Sequence, residues 1–208
     1  VSHIVGYRDF FDHRFIVTSD VLDPRPETEH LVEEALKKNF QNVLDLGTGS
    51  GCVILSLLAK KAGSTGLGVD VSKTAINIAE KNAVQMSLQR RVEFKVSDWF
   101  SNIKPQKFDL IVSNPPYISK YCLKYLEKDV VNFEPKLALS GGFDGFSKIR
   151  KVINKASILI KKNGKFILEI GFNQKDKVKK ILKEKGFYIN KVIKDYGNND
   201  RCIISTKI

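Results

Sequence analysis

From residue 42 onward, short apolar runs of strand length alternate with longer stretches whose apolar residues recur at helical spacing. Strands are expected at 42–46, 66–71, 92–96, 108–113, 165–170, 187–193 and 201–206, and helices at 52–61, 73–86, 146–160 and 174–185. The run Phe108-Asp109-Leu110-Ile111-Val112-Ser113 is apolar enough for the middle of a sheet. Ala75, Ile78, Ala79 and Asn82 mark the inner face of the second helix. Strands separated by helices of this length form βαβ units, so the fold class is α/β with a doubly wound, mostly parallel, seven-stranded sheet. Sheets of this kind bind ligands outside the carboxyl ends of their strands. The chemically suggestive motifs of the chain fall there.

Ahead of the alternation, residues 7–18 mix aromatic and β-branched residues with charges and read as a short β-hairpin. Asp23-Pro24-Arg25-Pro26-Glu27 then sets up a helix. Pro26 suits its first turn, Glu27 and Glu29 complement its dipole, and Leu31, Val32, Ala35 and Leu36 form its apolar stripe. Arg25 and Glu27 either line the cleft or brace this helix start, with bracing the favoured reading.

Asp45-Leu46-Gly47-Thr48-Gly49-Ser50-Gly51 follows the first sheet strand. Its glycines permit a tight turn and a close approach of backbone to ligand. A dinucleotide fingerprint would need its third glycine where Cys52 stands, and the Gly-Lys-Ser/Thr of a P-loop is absent. The Gly-x-Gly-x-Gly spacing resembles instead the loop that holds the methionine part of S-adenosylmethionine. Asp70 ends the next strand, where a carboxylate can accept both hydroxyls of a ribose. Asp45 lies either near the methionine amino group or under the loop as its cap. Ser97-Asp98-Trp99-Phe100 follows the third strand. Its aromatic pair can wall an adenine ring with Asp98 near the amino group, or Trp99 can simply fill core.

Asn114-Pro115-Pro116-Tyr117 comes directly after the fourth strand. Two prolines remove two backbone donors and hold the chain extended, which frees the Asn114 side-chain oxygen and the Pro115 carbonyl as acceptors. The nitrogen of an amide is a poor nucleophile because its lone pair is delocalised. Two fixed acceptors can hold its NH₂ group in plane, raise electron density on nitrogen and aim it at a sulfonium methyl. Tyr117 can stack on the planar group or face the sulfonium charge. No strong base is needed, because the alkylated nitrogen sheds its extra proton readily.

The net charge is +12, and residues 148–194 carry all of it, with 15 Lys/Arg against Glu169, Asp176 and Glu184. Such a segment suits either nucleic-acid contact or solvated helix faces. Three scattered cysteines fit neither a disulfide framework nor a Cys-x-x-Cys site, which points to a reducing, cytoplasmic compartment. His3, His13 and His30 lack ligand spacing, so no metal is expected. No apolar run approaches the ~20 residues of a membrane span. The opening Val1-Ser2-His3-Ile4 has no signal-peptide character and no initiator Met, so the chain is expected to be part of a longer protein.

Together these motifs resemble the peptide-chain release factor N5-glutamine methyltransferases of the HemK/PrmC type. The resemblance runs through Pro24-Arg25-Pro26-Glu27-Thr28-Glu29, Leu44 to Gly51, Phe108 to Ile118, Glu134-Pro135, Gly141-Gly142-Phe143-Asp144-Gly145 and Glu169-Ile170-Gly171. It covers about residues 5 to 205 and implies a Rossmann-like class I methyltransferase domain over 23–208, preceded by a hairpin and connector over 1–22. It implies S-adenosylmethionine held by Gly47, Thr48, Gly49, Ser50, Gly51, Asp70, Asp98, Trp99 and Asn114, with S-adenosylhomocysteine as product. It further implies a release-factor glutamine held by Asn114, Pro115, Pro116 and Tyr117, of which Asn114, Pro115 and Tyr117 serve the chemistry. The sequence departs from the family pattern at Asp23, where an aliphatic residue is usual, and at Asp129-Val130-Val131, where Glu-Val-Arg is usual. Both departures bear on docking rather than chemistry. The family also carries a small helical domain ahead of the catalytic one, and this chain is expected to begin after it.

The main rival is methylation of an exocyclic adenine amine in DNA or RNA, which uses the same Asn-Pro-Pro-Tyr. Such enzymes flip the base out and usually carry a recognition domain. A non-catalytic binding domain on the same fold is a third reading, and intact Gly47, Asp70 and Asn114 argue against it.

Overall fold

The computed structural model describes residues 2–98, 106–125 and 133–208. Strands β1 (Tyr7–Phe10) and β2 (His13–Ile16) form the expected hairpin. The main sheet contains β3 (Asn42–Leu46), β4 (Thr65–Asp70), β5 (Val92–Val96), β6 (Phe108–Ser113), β7 (Ile160–Glu169), β8 (Phe187–Lys194) and β9 (Asp200–Lys207). Their spatial order is β5-β4-β3-β6-β7-β9-β8. All neighbouring pairs from β5 to β7 are parallel, and β9 runs antiparallel between β7 and β8. Strand order reverses between β3 and β6, which makes that junction the switch point where a crevice opens.

The described helices are α1 (Ser2–Val5), α2 (Pro26–Leu36), α3 (Cys52–Lys60), α4 (Lys73–Gln85), α5 (Lys136–Leu139), α6 (Ser147–Leu159) and α7 (Lys175–Glu184). Successive residues of β3 and β6 serve opposite faces. Val43, Leu110 and Val112 pack with Leu31, Val32, Val53, Ile54 and Leu57, while Leu44, Leu46 and Ile111 pack with Ile149, Val152, Ile153 and Val178. Burial on both faces is what an unbroken apolar strand demands.

The strand expected at 165–170 begins earlier, at Ile160, immediately after α6. Lys161-Lys162-Asn163-Gly164 has the composition of a turn, but the chain stays in the sheet through a register shift against β6, with Asn163 at φ 64°. The hairpin is no loose appendage, because Phe10 and Phe15 are buried in the core beside α2 and α3. Asn82 of α4 fastens it: its Oδ1 accepts the Ile16 N–H at 2.7 Å, and its Nδ2 donates to the carbonyls of Ile16 and Ser50 at 3.1 and 2.9 Å.

Candidate active site

The glycine loop joins β3 to α3 at the carboxyl edge of the sheet. Gly47, Gly49 and Gly51 have φ of 78°, 54° and 80°, a region that costs other residues strain. A side chain on Gly49 would enter open space, so its absence leaves room beside the backbone. The loop is tied to the end of β4: the N–H groups of Gly47 and Thr48 both donate to the Val69 carbonyl at 2.9 Å, and that of Gly49 donates to Asp70 Oδ2 at 3.0 Å. Asp70 Oδ1 accepts the Ser72 N–H at 3.0 Å. Both Asp70 oxygens thus hold backbone of the loop and of the turn into α4. Burial pushes the Asp70 carboxyl upward against the opposing pull of these backbone donors.

Asp45 serves the loop from beneath. Thr48 Oγ1 donates to its Oδ2 at 2.8 Å, and desolvation pushes the carboxyl up to about 7. Asp45 also lines the cavity, so its place under the loop leaves it at the cavity wall. One cavity gathers Gly47 to Ser50, Thr28, Asp70, Ser72, Ser97, Asn114 and Pro116, and Val21, Leu22, Pro24 and Arg25 cover it from the connector; Gly51, expected at the ligand, instead packs toward Leu55, Ala79 and Phe94. The hydroxyls of Ser50 and Ser97 are buried with no hydrogen-bond partner among the described residues. Unpaired buried donors at a cavity wall fit a polar ligand.

Of the residues expected after β5, Asp98 is exposed and does not line the cavity, whereas its neighbour Ser97 does. Trp99 lies outside the described residues, as do Asp129, Val130 and Val131.

Asn114 and Pro116 line the cavity, and Pro115 is buried behind them. Asn114 Nδ2 donates to Thr28 Oγ1 at 3.1 Å, and Thr28 Oγ1 donates to Glu169 Oε2 at 2.7 Å. Tyr117 turns its hydroxyl toward Glu169 Oε1 at 3.4 Å, and its ring packs on the apolar cluster of β7 and α6. Burial raises the Tyr117 phenol far above its ordinary value. Burial likewise pushes Glu169 up to about 7, with the Thr28 hydrogen bond and Arg201 pulling the other way. Thr28 and Glu169 stand in two of the family-like segments, yet nothing in the sequence alone gave either a role.

Arg25 combines both expected readings: it lines the cavity and braces the connector, with its Nη2 at 2.7 Å from Glu134 Oε1, while Glu134 Oε2 accepts the Asp23 N–H at 3.1 Å. Asp23 itself accepts from Ser2 Oγ at 3.1 Å, which gives this unusual residue an N-terminal anchor. Several lysines of the basic segment find acids elsewhere in the chain. Lys161 meets Asp109 at 2.6 Å, Lys175 meets Asp200 at 2.7 Å and Lys191 meets Glu34 at 2.7 Å.

The methyltransferase small domain family matches residues 14–130. A release factor glutamine methyltransferase from Cereibacter sphaeroides is 41% identical over 203 residues, spanning 98% of this chain and 73% of that protein. Another from Caulobacter vibrioides is 37% identical over 211 residues, spanning 100% of this chain and 73% of its own. A solved methyltransferase from Pyrococcus furiosus superposes with a TM-score of 0.69 at 19% identity, over 93% of this chain and 88% of that one, which shows the shared fold. Among the described residues no helix is long and apolar enough to cross a membrane. With this identity sustained over 98–100% of its length, the chain belongs to the release factor glutamine methyltransferase family.

Proposed function

We propose that the chain transfers a methyl group from S-adenosylmethionine to the side-chain amide nitrogen, N5, of the glutamine in the Gly-Gly-Gln motif of peptide chain release factors, leaving S-adenosylhomocysteine. The observation that carries this reading is that Asn114 shares one cavity with the glycine loop and Asp70. The donor supplies an electrophilic sulfonium methyl. Gly47 to Ser50 and Asp70 hold its methionine and ribose parts, and the unpaired Ser50 and Ser97 hydroxyls offer further polar contacts. Asn114 and the Pro115 carbonyl accept the two N–H groups of the target amide, which keeps its plane fixed and its nitrogen lone pair directed into the cavity. Tyr117, with its hydroxyl turned toward Glu169, supports the turn from behind. Localisation in the cytoplasm, where release factors act, accompanies this reading.

The second reading, methylation of adenine in DNA or RNA, draws on the same turn and on the basic segment. Ion pairs with Asp109, Asp200 and Glu34 consume part of that charge within the fold. The deciding experiment offers labelled S-adenosylmethionine with release factor, DNA and RNA separately. Label on the release factor, lost when its Gly-Gly-Gln glutamine is replaced, supports the proposal. Label on nucleic acid alone overturns it and gives residues 148–194 a substrate role.

A further inference from the structure

The Asn114 carboxamide has two ends of opposite polarity and nearly identical shape. If Oδ1 faces the cavity, the site accepts an N–H; if Nδ2 faces it, the site repels one. Packing alone distinguishes the two ends poorly, so something must set the orientation. Two buried residues are arranged to do so. Thr28 is 3% exposed at the first turn of α2, and Glu169 is 1% exposed at the end of β7, beside the β6 end that carries Asn114.

The hydrogen bonds have a direction. A hydroxyl has one proton to give, and Thr28 gives it to Glu169 Oε2 at 2.7 Å. Its oxygen then presents lone pairs, and Asn114 Nδ2 donates to it at 3.1 Å. Thr28 lines the same cavity at its edge, and with Nδ2 committed to it, Oδ1 is the end of the Asn114 carboxamide left for a ligand. A buried hydroxyl and carboxyl are costly in a core, and a shape-matched apolar pair would hold α2 against β7 as well. Orientation is what the polar pair adds.

We propose that Thr28 and Glu169 are positioning residues that hold the Asn114 carboxamide with its oxygen toward the cavity, and so select a substrate that brings an N–H donor. The proposal rests on the amide-methylation reading of the site. It assigns Thr28 and Glu169 no contact with the reacting atoms.

The test is Thr28→Val, which keeps the shape and removes the hydroxyl. For release-factor methylation, kcat should fall roughly tenfold to a hundredfold, the size of effect a slightly misplaced group produces. KM for the release factor and the dissociation constant for S-adenosylmethionine should stay within about twofold, because the loss falls on the transition state. Thr28→Ser should restore most of the lost rate. A second readout needs no substrate: the ¹⁵N-resolved side-chain amide signals of Asn114 should move in Thr28→Val and return in Thr28→Ser. A wild-type kcat in Thr28→Val, or unmoved Asn114 signals, overturns the proposal. Should Thr28→Val fold poorly because Glu169 keeps an unpaired oxygen, Thr28→Val/Glu169→Leu removes that group too and should show the same kcat loss; a wild-type rate there overturns the proposal. If unaltered protein fails to methylate release factor while the Asn114 signals still respond to Thr28→Val, the glutamine reading falls and the positioning role stands.

Discussion

Asn82→Ala is the substitution whose cost can be worked most directly from the structure. The side chain is fully buried and makes three hydrogen bonds, accepting from Ile16 N–H and donating to the carbonyls of Ile16 and Ser50. Alanine keeps the helix and removes all three. At a net value of about 1 kcal/mol each, the loss is about 3 kcal/mol. For a domain of this size about 1 kcal/mol corresponds to 2–4 °C, so Tm should drop by about 6–12 °C. The carbonyl of Ser50 belongs to the glycine loop, so on the proposed function affinity for S-adenosylhomocysteine should weaken together with stability. Thermal unfolding followed by circular dichroism gives the first number, and titration calorimetry with S-adenosylhomocysteine gives the second. A Tm within about 2 °C of wild type would refute the hydrogen-bond accounting. A full Tm loss with unchanged affinity would mean that the Val69 carbonyl, Asp70 and Asp45 hold the loop without Asn82.

Three further outcomes are expected. Asn114→Ala should abolish methyl transfer while leaving S-adenosylmethionine binding nearly intact, and equal loss of both in calorimetry and activity assays would make Asn114 a wall of the donor pocket only. Asp70→Ala should weaken donor binding by about tenfold or more, since it removes a charged acceptor and frees the N–H groups of Gly49 and Ser72; an unchanged affinity would end the ribose assignment. Asp45, raised by burial from 3.8 to about 7, keeps its proton in the folded protein after the unfolded chain has lost its own. Stability of the ligand-free protein should therefore be greatest at acid pH with respect to this group, fall between about pH 4 and 7, and level off above. Asp45→Asn should flatten part of that slope in urea denaturation at several pH values. Glu169, also near 7, contributes the same sign and should account for a remainder.

Much of the architecture was readable because its signals are local. The strand at 42–46 and the apolar run at 108–113 carry their burial in their own composition, and both appear with those bounds. Pro26 marked the start of α2, and Ser72 caps α4 by accepting the Ala75 N–H. At 160–164 the local signal misled, because Lys-Lys-Asn-Gly favours a turn and pairing with β6 overrides it. The site divided along the same line. Asp70 ends a strand and Asn114 and the loop glycines follow one, so sequence position places them at the carboxyl edge. Thr28 and Glu169 are 141 residues apart, and neither carries a mark of its partner. Asn82 read as one more inner-face residue because its partners, Ile16 and Ser50, lie far away in the chain. Side-chain direction was also invisible: Tyr117 turns inward to Glu169, and Ser97 rather than Asp98 reaches the cavity.

The position of β3 in mid-sheet matters while the chain is being synthesised. Strands β4 and β5 add to one side of it in order, so this half can assemble as it leaves the ribosome. The other edge of β3 waits for β6, which begins 62 residues after β3 ends. At about 5–20 residues per second that interval lasts roughly 3–12 s. Throughout it, an apolar strand offers unpaired N–H and C=O groups to any neighbouring chain. Nascent copies on one messenger are then at their most adhesive, and a chaperone bound over residues 42–46 would protect the interval in which aggregation competes with folding.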